Sequence, residues 1–250
     1  MTPPVFLAEA GDLAADTVVL AGPEGRHAAA VRRLEPGETV HLVDGAGTRA
    51  RCRVVEVGRD TVVCAVEERG TDPAPSPELT VVQALPKGDR GELAVEVMTE
   101  AGVDRVVPWA AERCVTRWKP DRAAKSLAKW RSAAREAAKQ ARRSRIPEVT
   151  ELARTADVAA LARRADLAVV LHESARERLA VLPLPDAGSG ADAPGTIVVV
   201  VGPEGGFSDA ELSALAEAGA VRALLGPTVL RTSTAGVAAL AVLQARCGRW

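Results

Sequence analysis

The sequence predicts an α/β protein in two parts: a small N-terminal β-barrel, and a larger C-terminal domain built on a mostly parallel sheet with helices on both faces. Three observations carry this. Short strands separated by turn dipeptides run to about residue 70, a proline-rich break follows, and strands then alternate with helical patterns.

In the first part, 18–20, 39–43, 49–57 and 61–67 read as strands, punctuated by Pro36-Gly37, Asp44-Gly45 and Arg59-Asp60. Alternation is clearest in the last two. Between them, 26–34 (RHAAAVRRL) reads as a short helix stopping before Pro36-Gly37, and His41 is assigned to the barrel wall. A GPEG at 22–25 is taken as a coincidence or a barrel turn. Pro73, Pro75 and Pro77 can neither continue a ladder nor start a long helix, so the break falls there, giving domains 1–72 and 73–250.

The second part opens with a strand over 79–85, a helix over 89–101 and a strand in DRVVPW (104–109). A helix follows over 122–142, with Leu127, Trp130, Ala134, Ala137 and Ala141 forming one apolar stripe. Strands at 167–171 and 196–201, a helix over 208–218, a strand at 221–225 and a last helix over 232–246 complete the pattern. The stretch 182–195, rich in Pro, Gly, Asp and Ala, reads as an exposed excursion.

Composition narrows the function. Of 250 residues 47% are hydrophobic, which excludes a disordered chain. The apolar runs, such as 197–201, are far shorter than the roughly 18 residues of a membrane span. MTPPVFLAEA has no basic residue ahead of its apolar stretch, so the expectation is a cytoplasmic protein with no membrane partner. Cys52, Cys64, Cys114 and Cys247 form no CxxC pair and read as small buried hydrophobes, with Cys52 and Cys64 on neighbouring strands and no metal expected. With no tyrosine, two phenylalanines and four tryptophans, modules that stack bases on strand aromatics are disfavoured. Nucleic acid would be held by charge and shape.

Charge is strongly uneven. Between Arg113 and Arg145 stand 12 bases and two acids, Asp121 and Glu136, leaving 31 acids and 20 bases elsewhere. The segment is either a solvated helix face or a polyanion-binding one, and the missing i,i+4 acids favour the second. Arg26, His27, Arg32 and Arg33 form a second basic cluster in the barrel.

Two loops carry the ligand chemistry. In IVVVVGPEGGFS (197–208) an apolar strand meets a helix opened by a Ser208/Glu211 capping box, and the glycines let a ligand approach the backbone. It is neither a Walker A loop nor GxGxxG, so nucleoside triphosphates and dinucleotides are not indicated. The second loop, LGPTVLRTSTAG (225–236), follows another apolar strand, and two such loops at consecutive strand ends form one pocket.

These segments together resemble the RsmE family, the 16S ribosomal RNA (uracil-N3) methyltransferases of the SPOUT class. The matching stretches are RHAAAVRRLEPGE, VVQALPKGDRGELAVEVMTEAGVDRVVPWAAERCV, EAAKQARRSRIPEV, LHE at 171–173, VGPEGGFSDAEL and LGPTVLRTSTA, nearly the whole chain in the family's order. The resemblance implies a PUA-like N-terminal barrel, a SPOUT α/β domain tied in a trefoil knot, and a homodimer. It also implies S-adenosylmethionine bent among three loops. Its cofactor-binding residues would be Leu171, His172, Gly202, Glu204, Gly205, Gly206, Leu225, Gly226, Leu230, Arg231, Thr234 and Ala235. Lys87, Arg90, Arg113, Arg142 and Arg143 join the barrel cluster as residues for 16S ribosomal RNA, naked or in the assembled small subunit.

The chain departs from the family twice. Ser233 stands where many relatives carry an acid in LRTETA, and Arg142 stands where relatives often carry the glycine of QxGR. For methyl transfer, uracil N3 must lose its proton, and the site should favour negative charge on O2 and O4. Arg231 and Arg143 are the candidates for that role. Glu204 is either the base or a loop-shaping group. Other readings are a SPOUT methyltransferase for another RNA position and a non-catalytic ribosome-assembly factor.

Overall fold

Along 49–54, Arg49, Arg51 and Arg53 are exposed while Ala50, Cys52 and Val54 are buried. This two-residue period gives a strand one wet and one dry face. The computed structural model describes residues 2–185 and 195–250. It separates into two units, residues up to 74 with 138–146, and 75–137 with 147–250.

The first unit holds β1 (Val5–Leu7), β2 (Thr17–Leu20), β3 (Thr39–Val43), β4 (Thr48–Val57) and β5 (Val62–Thr71). The sheet order is β1-β3-β4-β5-β2, antiparallel except for β1 beside β3. Register shifts at Arg51/Cys52 and Val54/Glu56 bend it around Phe6, Leu13, Val18, Leu42 and Val62. β1 is an addition to the sequence reading. β5 runs past its expected end because Arg51 reaches across to Glu67 at 2.6 Å and Glu68 at 3.3 Å, which keeps a polar stretch paired. Cys52 faces Val66 and Cys64 faces Val54, so the two are neighbours rather than opposite partners. Burial pushes their thiols up to about 11 and about 12, as expected of small inert hydrophobes.

GPEG at 22–25 is not a barrel turn. It opens α1 (Gly22–Arg26), with Pro23 in the first turn. The helix passes into a π-helical turn over His27–Val31, where the Arg32 N–H donates to the His27 carbonyl at 2.8 Å. Glu24 accepts the Leu7 N–H at 3.1 Å and the Lys139 ammonium at 2.7 Å. Lys139 is only 8% exposed, and a buried ammonium is tolerated only when paired. Arg145 also donates to the Asp72 carbonyl at 2.8 Å. These bonds explain why 138–146 packs with the barrel, although the sequence reading left it in the second domain.

The second unit holds strands β6 (Glu78–Ala84), β7 (Arg105–Trp109), β8 (Glu148–Val149), β9 (Leu167–Leu171), β10 (Thr196–Val201) and β11 (Val221–Ala223). Its helices are α2 (Arg90–Glu100), α3 (Pro120–Gln140), α4 (Thr155–Arg164), α5 (Asp209–Glu217) and α6 (Thr232–Arg246). The order β11-β9-β10-β6-β7-β8 is parallel throughout. Central β10 is buried along 197–201, as a strand covered on both faces requires. α6 lies close to α2 and β6 at Gly236, where a Cβ would meet the Met98 sulfur at 2.6 Å.

On α3 the stripe Leu127, Trp130, Ala134 and Ala137 is buried, but Ala141 is exposed. The helix stops one residue earlier, at Gln140. Arg142 has φ +58°, the Arg143 N–H donates to the Ala138 carbonyl at 2.8 Å, and the Arg142 N–H to that of Lys139 at 3.0 Å. This is a Schellman stop with arginine in the left-handed position that glycine usually fills.

β8 and α4 escaped the sequence reading. A two-residue strand has no period to read, and α4 starts without a Ser or Thr cap, its entry held by Asp157 accepting the Arg154 N–H at 2.8 Å. Of the excursion expected over 182–195, Leu182 is buried and 186–194 lie outside the described residues. Among the described residues, no helix is long and apolar enough to cross a membrane.

Candidate functional site

β6 leads toward β7 and β10 leads toward β11, in opposite directions across the sheet. Loops therefore diverge where these neighbouring strands end, the place where parallel sheets hold ligands. The two loops are joined by one bond, the Lys87 N–H donating to Glu204 Oε1 at 3.1 Å. Each glycine of the 202–206 loop answers to a neighbour or a dihedral. A Cβ at Gly202 would sit 2.5 Å from the Phe207 ring, one at Gly205 would sit 2.9 Å from the Arg113 Cβ, and Gly206 has φ +70°. Arg113 Nη1 also donates to the Gly205 carbonyl at 3.4 Å.

Phe207 is the centre of an aromatic row over the strand ends, 5.7 Å from Trp109 and 5.9 Å from His172. The Ser208/Glu211 capping box forms as expected, and its buried carboxylate does more. Glu211 accepts the Ser208 N–H at 2.9 Å and the Glu112 N–H at 2.7 Å, fixing the loop after β7 as well.

The loop after β9 is laced to the end of β11. The His172 N–H donates to the Ala223 carbonyl at 3.0 Å, and the Leu179 N–H to that of Leu224 at 2.8 Å. Beyond Leu224 the backbone is free: among the described residues, the N–H groups of Leu225, Gly226, Thr228, Val229 and Leu230 donate to nothing. A Cβ at Gly226 would meet nothing within 4 Å, and its φ is not positive, so neither packing nor backbone demands glycine there. Arg231 occupies the N-cap of α6, its carbonyl accepting the Thr234 N–H at 2.9 Å and the Ala235 N–H at 3.0 Å. Its exposed guanidinium has no partner among the described residues. Ser233, at the position of the missing acid, is buried.

All twelve residues expected at a cofactor lie in these three loops and the adjoining ends of β9 and α6, in the second unit, as do Lys87, Arg90 and Arg113. Arg26, His27, Arg32, Arg33, Arg142 and Arg143 lie in the first. There Arg26 pairs loosely with Asp60 at 3.4 Å, His27 meets the Phe6 ring edge-on, and Arg32 and Arg33 are exposed. The sequence reading missed Phe207, Trp109 and the second bond of Glu211. The rarity of aromatics in this chain was the available signal for the first two.

Residues 73–244 match the family model of the RNA methyltransferase domain, and 20–67 match that of the RNA methyltransferase PUA domain. Over 236 residues the chain is 46% identical to the ribosomal RNA small subunit methyltransferase E of Mycobacterium bovis, covering 93% of this chain and 87% of the relative. The chain belongs to that family. The methyltransferase E of Bacillus subtilis is 30% identical, with 92% and 90% covered. The methyltransferase E of Neisseria gonorrhoeae, solved bound to S-adenosylmethionine, superposes with a TM-score of 0.85 at 29% identity over 98% of each chain. A Legionella pneumophila structure with the same cofactor gives 0.85 at 27% identity, again over 98% of each. The curled first sheet is thus the PUA-like domain of this family, and the parallel sheet its methyltransferase domain.

The residues present fit that cofactor. An adenine, a carboxylate and an ammonium are read by backbone donors and acceptors, and the loop after β11 offers five free N–H groups around a glycine that nothing in the fold requires.

Proposed function

We propose that this chain transfers a methyl group from S-adenosylmethionine to N3 of a uridine in 16S ribosomal RNA, working in the cytoplasm as a homodimer with the trefoil knot of its family. The observation that carries the reading is the free backbone of 225–230 beside the partnerless guanidinium of Arg231. The first unit, the barrel with 138–146, is assigned to RNA, and the second unit to catalysis. Arg26, His27, Arg32, Arg33, Arg142 and Arg143 form the barrel-side cationic surface.

When bound, the cofactor supplies an electrophilic methyl group. Leu225, Leu230 and the backbone of Gly226 hold it, with His172 and Gly202 to Gly206 on the other side and Thr234 and Ala235 closing the first turn of α6. Arg231 presents its cation to O2 or O4 of the uracil, so that the base carries negative charge as the N3 proton passes to solvent water. A fixed cation facing developing charge is usually the largest catalytic contribution. Arg143, the other candidate from the sequence, lies in the first unit and is assigned here to RNA binding. Glu204 already accepts a backbone N–H from Lys87, which favours loop shaping over proton abstraction.

Titration calorimetry with S-adenosylmethionine, followed by mass mapping of uridines after incubation with small ribosomal subunits, tests the proposal. Micromolar cofactor binding and one new 3-methyluridine are expected. A protein that binds no cofactor, or methylates a different atom, overturns it.

A further inference from the structure

A cavity of about 380 Å³ opens in the second unit, beside the loop site and separate from it. Its walls come from 85–92, from the 116–119 loop and from the first turns of α3. That volume is within the range of small-molecule sites, roughly 300–1,000 Å³.

Its chemistry is mixed. Trp118 and Trp130 line it with rings at right angles, 5.3 Å apart. Gly91 permits this, since a Cβ there would sit 2.6 Å from Trp130 Nε1. Arg117, Lys119, Arg122 and Lys129 supply four cations. Arg117 is engaged, donating to the Glu112 carbonyl at 3.0 Å, but the other three are weakly held: Arg122 is 3.7 Å from Asp121, Lys129 is 4.0 Å from Glu92, and Lys119 has no ion-pair partner among the described residues. Exposed pairs at such distances contribute little, so the cations remain available. Asp89 and Glu92 add acceptors for sugar hydroxyls.

A ring wall, clustered cations and a few acceptors suit a nucleotide: base on indole, phosphate on cations. Position decides its source. The 85–89 loop bonds to Glu204 through Lys87 and lines the cavity through Gly88 and Asp89, so it is the shared wall between cavity and loop site. We infer that this cavity holds one unpaired nucleotide of the RNA substrate, flanking the uridine to be methylated, with its base against Trp118 and its phosphate on Lys119 and Arg122. This deepens the function proposed above and rests on it for the identity of the RNA.

The test uses the full-length protein and three variants. Lys119→Glu/Arg122→Glu removes phosphate contacts at two exposed positions, and acids near the start of α3 favour the helix, so the fold is kept. Trp118→Leu removes the ring, and Trp118→Phe keeps one. RNA affinity is measured with a hexauridylate and with 16S RNA across a salt series, and cofactor affinity by calorimetry. The double variant should weaken RNA binding at least tenfold and reduce the salt slope by about 1.4–1.8. Trp118→Leu should weaken it about 5- to 150-fold, with Trp118→Phe near wild type. Cofactor affinity should move less than twofold. Wild-type RNA affinity and salt slope in both the double variant and Trp118→Leu would overturn the inference. So would uridine monophosphate filling the cavity without displacing RNA, which would mark a free-nucleotide site. These readings need no turnover, so a protein that binds RNA through this cavity but transfers no methyl group would defeat the function above and leave the subsite standing.

Discussion

The backbone N–H of Lys87 donates to Glu204 Oε1 at 3.1 Å, so the glutamate of the GPEGG loop is engaged by the neighbouring loop. The glutamate of the earlier GPEG behaves alike, Glu24 accepting the Leu7 N–H at 3.1 Å. In both places the side chain ties together two stretches of chain distant in sequence, a helix to a strand at Glu24 and one loop to another at Glu204. Glu204→Gln keeps an acceptor and should retain methyl transfer within about threefold, whereas Glu204→Ala frees the loop and should lose roughly tenfold or more, one broken hydrogen bond to a charged group being about 1.5–3 kcal/mol. Rates measured for both variants at saturating RNA decide it, since a general base would make the glutamine variant as slow as the alanine one.

Two glycines should separate packing from ligand contact. Gly205→Val drives a side chain into Arg113, whose Cβ and carbonyl stand 2.9 and 3.0 Å from the new atom. It should lose both stability and cofactor binding. Gly226→Ala meets open space, so its melting temperature should stay near wild type while cofactor affinity falls tenfold or more. Thermal unfolding alongside calorimetry reads the difference.

Arg231 is poorly suited to its place by helix criteria. It makes no side-chain cap, and its cation stands at the positive end of α6. Arg231→Ser should therefore stabilise the protein by about 1 kcal/mol while methyl transfer drops at least a hundredfold. Urea denaturation and single-turnover rates on the same preparation would show the opposed effects.

Arg142 presents a similar conflict in the first unit. Its φ of +58° is a conformation glycine adopts freely. Arg142→Gly should raise stability by about 1 kcal/mol and lower the salt slope of RNA binding by roughly 0.7–0.9, one phosphate contact. Unchanged salt dependence would remove Arg142 from the RNA surface.

His41 on β3 gives the barrel a pH dependence. Burial first, then Arg49, Arg51 and Arg142, with Glu68 opposing, hold its imidazole below the ordinary 6.5. The unfolded chain then takes the proton first as pH falls. The stability from neutral His41 is complete above about 6.5 and is lost as pH falls from there through the folded pKa. His41→Gln should flatten the profile below pH 6.5, as guanidinium titrations at two pH values would show.

The sequence made most of the second unit legible because its strands are long apolar runs and its helices carry clear caps or stripes; β10 and α6 fall at their expected residues. What stayed hidden depends on distant partners. Lys139 reads as one more cation in a basic helix until Glu24 appears beside it, 115 residues away. The backbone freedom of 225–230 has no sequence signature, since it consists of bonds not made. Trp130 was legible only as part of a core stripe and Trp118 not at all, and the pair lines the cavity because Gly91 on another helix leaves room for the Trp130 ring.

The strand order of the second unit also bears on synthesis. β6 is the first strand of its sheet to be made, yet it lies beside β10, which begins only at Thr196. Arg249, beyond α6, reaches back to the Pro77 carbonyl at 2.8 Å and to Asp104 at 2.7 Å. Until β10 has left the ribosome, β6 carries one bare apolar edge, the kind of surface that recruits chaperones or aggregates. The sheet of this unit therefore cannot close around β6 until residues beyond 196 have been made.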